Sequence, residues 1–414
     1  MMKDYKFAII LGVLVIVMIL VAFGLERSKK ENYTHSSAPS DLVTTFKGDA
    51  KTSRAFTWYT SDPDSSGVLE IVKGEVNSFT NTEVLTIEAT SESIKTDNGT
   101  RGVHKAEVTG LEPGTIYTYR VGSGIEGEWS SAAEFTTEEE SLDSVSFINI
   151  TDSQGQTSKD FKLWADTLNK AFQIFPEASF IVHNGDLTED PEDSAGWDQL
   201  FGNVQGWISG IPLMPVTGNH DEVDGEAKYY ISHFNLPNNG AKGSIAGTSY
   251  SFDYGPVHVT VLNTESNLKK QAEWLKQDLK QTDKKWKIIA MHRPAYGGNM
   301  YKKVQDWTDI FDEYEVDLVL QGHNHEYSRS YPLFAGKIVQ PNEDVKDAKQ
   351  GTVYVVTNAS GGKFNEKKED QFYHEVHFQN YKQMFAGITV IGDTLTYQAY
   401  DVDGKLLDEF MLTH

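Results

Sequence analysis

Five short polar blocks, each closing an apolar run of strand length, constrain this 414-residue chain more than any other feature. They are Asp152, Asn184-Gly185-Asp186, Gly218-Asn219-His220-Asp221, Met291-His292 and Gly322-His323-Asn324-His325. The run Phe180-Ile181-Val182 stands just before the second block. A carboxylate at the C-terminal end of a buried strand lies where open α/β sheets bind their ligands, and Asp186 in that place offers one oxygen to each of two cations. Gly-Asp after a strand is by itself an ordinary turn signal. The other four blocks are what make Asp186 a candidate metal bridge.

Between the blocks the pattern is that of a parallel sheet. Val145–Ile150 reads as a strand, Phe161, Trp164, Leu168, Ala171, Phe172 and Phe175 recur at helical spacing, and a second strand ends at Asp186. Further strands are expected at 257–262, 287–290 and 317–320, helices over 270–279 and 303–314, and strands again at 351–356, 388–391 and 394–400. Residues 42–137 are different. Ala55-Phe56-Thr57-Trp58-Tyr59, Glu83–Ile87 and Tyr117–Val121 are rich in aromatic and β-branched residues, Gly, Asp, Asn and Ser clusters separate them, and no helical period intrudes. An all-β sandwich is the natural reading, with Glu138-Glu139-Glu140-Ser141 as a solvated boundary before a second domain over 144–414.

Composition narrows the function. A formal charge of −23 repels a polyanion, so nucleic-acid binding is not expected, and a phosphorylated substrate must be attracted locally, which metals can do. The absence of cysteine excludes disulfides, thiolate zinc sites and a lipidated N-terminal cysteine. Phe7–Leu25 is an uncharged, almost wholly apolar run of 19 residues behind Lys3 and Lys6, long enough to cross a bilayer. It is read as an uncleaved signal anchor within residues 1–30, or as a cleaved signal peptide ending near Ala22 and Gly24. Residues 31–41 follow as a tether. The expected location is the cell membrane with the catalytic domain outside, or secretion if the segment is removed.

Phosphate ester hydrolysis needs an oxyanion neutralised and a water made nucleophilic, and two cations sharing a carboxylate do both. Asp and Asn oxygens with His nitrogens suit iron, manganese or zinc more than calcium. The order of the five blocks resembles that of calcineurin-like metallophosphoesterases. With Trp129-Ser130 and Phe135-Thr136-Thr137 closing the preceding β module, the chain from about Leu42 resembles a purple acid phosphatase with its fibronectin-type-III-like domain. The resemblance implies a four-layer metallophosphoesterase sandwich, two sheets flanked by helices, after the all-β domain. It implies two divalent metal ions (Mn, Zn or Fe), with Asp186 as bridge, Asp152 and His325 on the first metal, and Asn219, His292 and His323 on the second. It also makes His220 the general acid, with Asp221 either orienting it or capping the next segment. Arg293 and Tyr296 are candidates for substrate contact or ordinary loop packing, as are Tyr327 and Arg329 in the final block.

Two departures stand out. Many metallophosphoesterases place a His two residues after the first Asp, where this chain has Gln154, and purple acid phosphatases place a Tyr three residues after the bridge, where it has Glu189. Gln154, by its spacing, is the preferred substitute ligand on the first metal, with Glu189 as the alternative. Without a phenolate, neither purple colour nor a strong preference for ferric iron is expected. His183 and His258 read as packed strand residues, and His374 and His377 as rim residues at most. The charged stretches 342–349 and 366–370 read as solvated loops. The leading function is hydrolysis of phosphate monoesters on small molecules. The core blocks do not separate this from diester or nucleotide hydrolysis. The reading from another class is a surface binding protein with a vestigial phosphoesterase domain, against which the near-complete ligand set argues.

Overall fold

The computed structural model describes residues 38–80 and 83–414. The apolar stretch Phe7–Leu25 lies outside the described residues, among which no helix is long and apolar enough to cross a membrane. Eight described strands make the N-terminal domain: β1 (Ser40–Thr45), β2 (Ser53–Thr60), β3 (Val68–Lys73), β4 (Leu85–Glu88), β5 (Thr90–Thr96), β6 (Gly99–Thr109), β7 (Ile116–Gly122) and β8 (Ala133–Thr136). They pair antiparallel in two sheets ordered β1-β2-β6-β5 and β4-β3-β7-β8. Phe56, Trp58, Leu69, Ile71, Tyr119 and Phe135 fill the space between them.

β2 is buried at every position, which a sandwich strand facing solvent would not be. Its second face lies on the following domain. Tyr59 stacks on His233 with ring centroids 4.5 Å apart and donates its hydroxyl to Ser232 at 2.6 Å. Lys105 Nζ donates to the carbonyl of Phe234 at 2.8 Å, and Arg101 pairs with Asp41 at 2.8 Å and Asp198 at 2.6 Å. Ser40 and Asp41 therefore differ from the tether reading: they open β1, because the buried Asp41 carboxylate is the partner of Arg101.

The second domain runs through helices α1 (Ser158–Ile174), α2 (Ser194–Gly202), α3 (Gln205–Ile208), α4 (Lys228–His233), α5 (Leu268–Gln281) and α6 (Gln305–Glu313). Its strands begin with β9 (Ser144–Ile150), β10 (Ile181–His183), β11 (Leu213–Pro215), β12 (Tyr250–Tyr254), β13 (Val257–Leu262), β14 (Trp286–Met291), β15 (Leu318–Gln321) and β16 (Tyr327–Ser330). A ribbon of β17 (Leu333–Phe334) and β18 (Lys337–Ile338) precedes β19 (Val345–Asp347), β20 (Val353–Val356), β21 (His374–Phe378), β22 (Met384–Ile391), β23 (Thr394–Asp401) and β24 (Leu406–Thr413). Two seven-stranded sheets result, ordered β11-β10-β9-β22-β23-β24-β19 and β12-β13-β14-β15-β20-β16-β21.

The layers follow from which faces are apolar. α1 starts at a capping box between Thr157 and Asp160 and turns Phe161, Trp164, Leu168 and Phe172 into a core that also holds Phe147, Ile181, Val259 and Val355 from the two sheets. On the far side Leu275 and Leu279 of α5 and Trp307 and Phe311 of α6 cover Ile289 and Val319. Helix, sheet, sheet, helix is the four-layer arrangement. β10 runs parallel to β9 and β11, and β13, β14, β15 and β20 are parallel in the other sheet. All five polar blocks thus leave the same C-terminal edge, where the two sheets meet.

Candidate metal centre

His292 shows what the cluster is built to hold. Its Nδ1 donates to the carbonyl of Asn184 at 2.8 Å, which points Nε2 at the other ligands. Around Nε2 stand Asp186 Oδ2 at 3.2 Å, Asn219 Oδ1 at 3.2 Å and His323 Nδ1 at 3.3 Å. Such separations are those of ligands sharing a cation at about 2.1 Å. A second group lies beside the first: His325 Nε2 is 3.1 Å from Asp152 Oδ1, and its Nδ1 donates to the Lys363 carbonyl at 2.7 Å. In both rings a backbone carbonyl fixes the tautomer, as is usual for metal-binding histidines. Asp186, His292 and His323 form one set of convergent ligand atoms, and Asp152, Asp186 and His325 form another. Asp186 belongs to both.

The two Asp186 oxygens are not equivalent. Asp186 Oδ1 accepts the His220 amide at 2.8 Å, so Oδ2 is the atom that faces His292, with Gln154 Nε2 also 3.2 Å from it. The approach depends on Gly218, whose place a Cβ would fill 2.3 Å from Asp186 Oδ1. Asp152, Asp186, His323 and His325 all have φ between 51° and 72°. Left-handed backbone at a residue other than glycine costs on the order of 1–3 kcal/mol and collects at functional sites.

Electrostatics tell the same story. Burial opposes charge on His292, but the Asp186 and Asp152 carboxylates outweigh it and raise the ring to about 10. Asp186 is held below the ordinary carboxylate range against its own burial, by His292 and His220. Protons here occupy the place of a cation. The donor set of three His nitrogens, two carboxylates, an Asn oxygen and an adjacent amide fits two divalent ions of the manganese, zinc and iron type.

Residues 145–327 match the calcineurin-like phosphoesterase family, and residues 39–137 match the purple acid phosphatase N-terminal domain. The chain joins a calcineurin-like phosphoesterase domain to a purple acid phosphatase N-terminal domain. An uncharacterized protein of Mycobacterium tuberculosis is 26% identical over 76% of this chain and 68% of its own length. Acid phosphatase type 7 of Mus musculus is 25% identical over 63% of this chain and 64% of its own. The structure of purple acid phosphatase PPD1 from yellow lupin (Lupinus luteus) seeds superposes with a TM-score of 0.77, 18% identity, and coverage of 92% of this chain and 75% of that one.

Within this family frame the two departures fall in different places. Gln154 is buried beside the first group, its Nε2 3.4 Å from His325 Nε2 and its Oε1 without any partner. Exchanging the amide's oxygen and nitrogen turns a carbonyl toward Asp186 and His325, the orientation a cation favours. Glu189 instead pairs with Lys363 at 3.3 Å, and what it offers the site is its backbone carbonyl, which accepts His220 Nδ1 at 2.8 Å.

For several candidates the sequence left two roles open, and the structure places most of them in the packing role. Asp221 makes no bond to the His220 ring: its carboxylate accepts the amides of Gly218 at 2.7 Å, Asp186 at 2.8 Å and Leu187 at 3.1 Å. Burial and the nearby Asp186 push it up to about 7. It staples the two metal loops together. Tyr296 packs edge-on against Tyr354 and Tyr373 at 4.8 and 5.1 Å, with its hydroxyl next to Thr308, so it belongs to the helix-side core. Tyr327 and Arg329 are likewise committed, both bonded to Asp408. Arg293 stays at the site, fixed by Glu265 at 2.8 Å with Nη1 3.0 Å from His323 Nε2. The residues the sequence did not reveal are Thr151, which donates to Asp152 at 2.7 Å, and Lys363, which acts through a backbone carbonyl that carries no side-chain signal.

Proposed function

We propose that this metallophosphoesterase hydrolyses phosphate monoesters of small molecules at a two-cation centre. The observation that carries the reading is Asp186, common to both ligand groups. Asp152, Gln154, Asp186 and His325 would hold the first ion, and Asp186, Asn219, His292 and His323 the second. Bound there, two divalent ions supply charge neutralisation for the phosphoryl oxygens and an activated water.

The chain's own residues supply the rest. The Glu189 carbonyl holds the Nδ1 proton of His220, so in its imidazolium form the second proton sits on Nε2, and that is the proton given to the departing alkoxide. Arg293 is the cation beside the centre, and Glu265 holds it at an angle to receive a phosphoryl oxygen. His323 would hold the second ion through Nδ1, and its Nε2, 3.0 Å from Arg293 Nη1, keeps that guanidinium beside the centre. No tyrosine stands three residues after the bridge, so a divalent pair and a colourless protein go with this reading. The apolar stretch Phe7–Leu25 supports action outside the membrane.

The test is hydrolysis of p-nitrophenyl phosphate against bis(p-nitrophenyl) phosphate and a nucleoside triphosphate, by metal-stripped protein with Mn2+, Zn2+ or Fe2+ restored. Preference for the monoester with any of these ions supports the reading. Faster diester or triphosphate cleavage would replace it.

A further inference from the structure

A second cluster of ligand side chains lies on the rim, outside the centre just described. Asp370, His374 and His377 each turn one ligand atom to within 4.8 Å of the other two. A regular strand would separate the two histidines, since residues three apart point to opposite faces. β21 is not regular: Arg329 pairs with Val376 while Ser330 pairs with His374, so Glu375 is an extra residue and the bulge brings both rings to one side. Their centroids are 4.0 Å apart.

The supports behind these rings are those of a metal site. His377 Nδ1 is 2.8 Å from Asp370 Oδ1, and its Nε2 lies 3.3 Å from Glu326 Oε2 without hydrogen-bond alignment. Glu326 is fully buried, and its Oε1 has no partner. His374 Nε2 donates to the Gly297 carbonyl at 2.9 Å, leaving Nδ1 for the cluster. A carboxylate or carbonyl behind the outer nitrogen of each ring is how proteins orient metal-binding histidines. Two hydrogen-bond donors now stand where an ion would: the Lys367 ammonium, Nζ 2.5 Å from Asp370 Oδ1, and the neutral Gln371 backbone amide, 3.1 Å from His374 Nδ1.

We propose that Asp370, His374 and His377 bind a zinc ion separate from the catalytic pair, with Glu326 holding the outer nitrogen of His377. Two imidazoles and a carboxylate, with solvent at the fourth position, match the preference of zinc for tetrahedral N and O ligands at about 2.0–2.2 Å. Asp370 is 71% exposed, so the site opens to water. Zinc there pins segment 366–372 to β21 and to the Gly297 turn. The same segment continues from Lys363 and Asn365, which bond Nδ1 and the carbonyl of His325, so the rim ion steadies one wall of the catalytic cleft.

The experiment equilibrates the full chain with Zn2+ alone, removes loosely held metal by desalting, and measures zinc per chain. The expected values are three for the native protein and two for both Asp370→Asn and His377→Gln. Lys367→Met, which removes the competing ammonium, should hold the third ion about tenfold more tightly. Asp186→Asn should keep the rim ion while losing catalytic zinc, which separates this site from the phosphoesterase centre. Asp370 sits on an exposed loop, so Asp370→Asn remains informative even where His377→Gln fails to fold. The same zinc content in the native chain and in Asp370→Asn would overturn the proposal.

Discussion

The two halves of the metal centre share Asp186 but are not equally built. The half around His292 has Asn219, His292 and His323 converging with the bridge within 3.3 Å of one nitrogen. The half around His325 has Asp152 and the bridge, and beyond them, among the described residues, the neutral amide of Gln154. An uncharged carbonyl binds a cation more weakly than imidazole or phenolate does. A first position completed only by Gln154 would be the weaker and more exchangeable of the two, its strength set by the residue at 154 rather than by the fold.

Removing what the halves share has the largest expected effect. Asp186→Asn should empty both positions and lower kcat/KM by at least about a thousandfold, since a neutral amide bridges two cations poorly and several kcal/mol of charge stabilisation goes with them. Metal analysis and p-nitrophenyl phosphate turnover check it together. His220→Ala should leave both metals in place and slow hydrolysis by about a hundredfold for alkyl phosphates, with a much smaller loss for p-nitrophenyl phosphate, whose leaving group needs no proton. Equal loss on both substrates would remove the general-acid role.

Substitutions at 154 act on one half only. Gln154→His should tighten the first ion by about tenfold and Gln154→Ala loosen it by a similar factor, with the second ion unmoved. Competition against a chelator resolves the two positions, and unchanged affinity in both variants would return the role to Glu189 or to water. A further effect is on pH. In the bare protein His292 is raised to about 10, so below that pH each ion entering the second half displaces its proton, and affinity should climb by up to tenfold per pH unit. The linked stability has the matching sign. A ring raised in the folded state stabilises the metal-stripped protein fully below about 6.5, its unfolded value, and this contribution fades as pH rises toward 10. Melting of stripped and loaded protein across that window should show the loss in the stripped form alone.

Much of this arrangement was legible because side-chain periodicity carries it. The aromatic spacing from Phe161 to Phe175 marks α1, and the expected strand at 257–262 has the bounds of β13. The polar blocks, spread from Asp152 to His325, do converge, since parallel strands deliver their ends to one edge. What could not be read is what side-chain identity does not encode. Asp221 binds three backbone amides and Lys363 serves through its carbonyl, and nothing in either residue type announces that. Tyr296 follows His292 so closely that its sequence position leaves substrate contact and packing both open, and the chain turns it into the helix-side core. The second buried face of β2 was hidden as well, because Tyr59 and Thr57 suit an exposed sandwich strand as readily as an interface.

The central proposal is that Asp186 would serve two cations at once. Manganese titration of the metal-stripped Asp370→Asn chain, followed by electron paramagnetic resonance and by monoester turnover, tests it most directly. The account expects activity to rise with the second equivalent of Mn2+, together with a spin-coupled multiline signal that Asp186→Asn abolishes. Full activity at one equivalent, with only the six-line signal of an isolated ion, would contradict it.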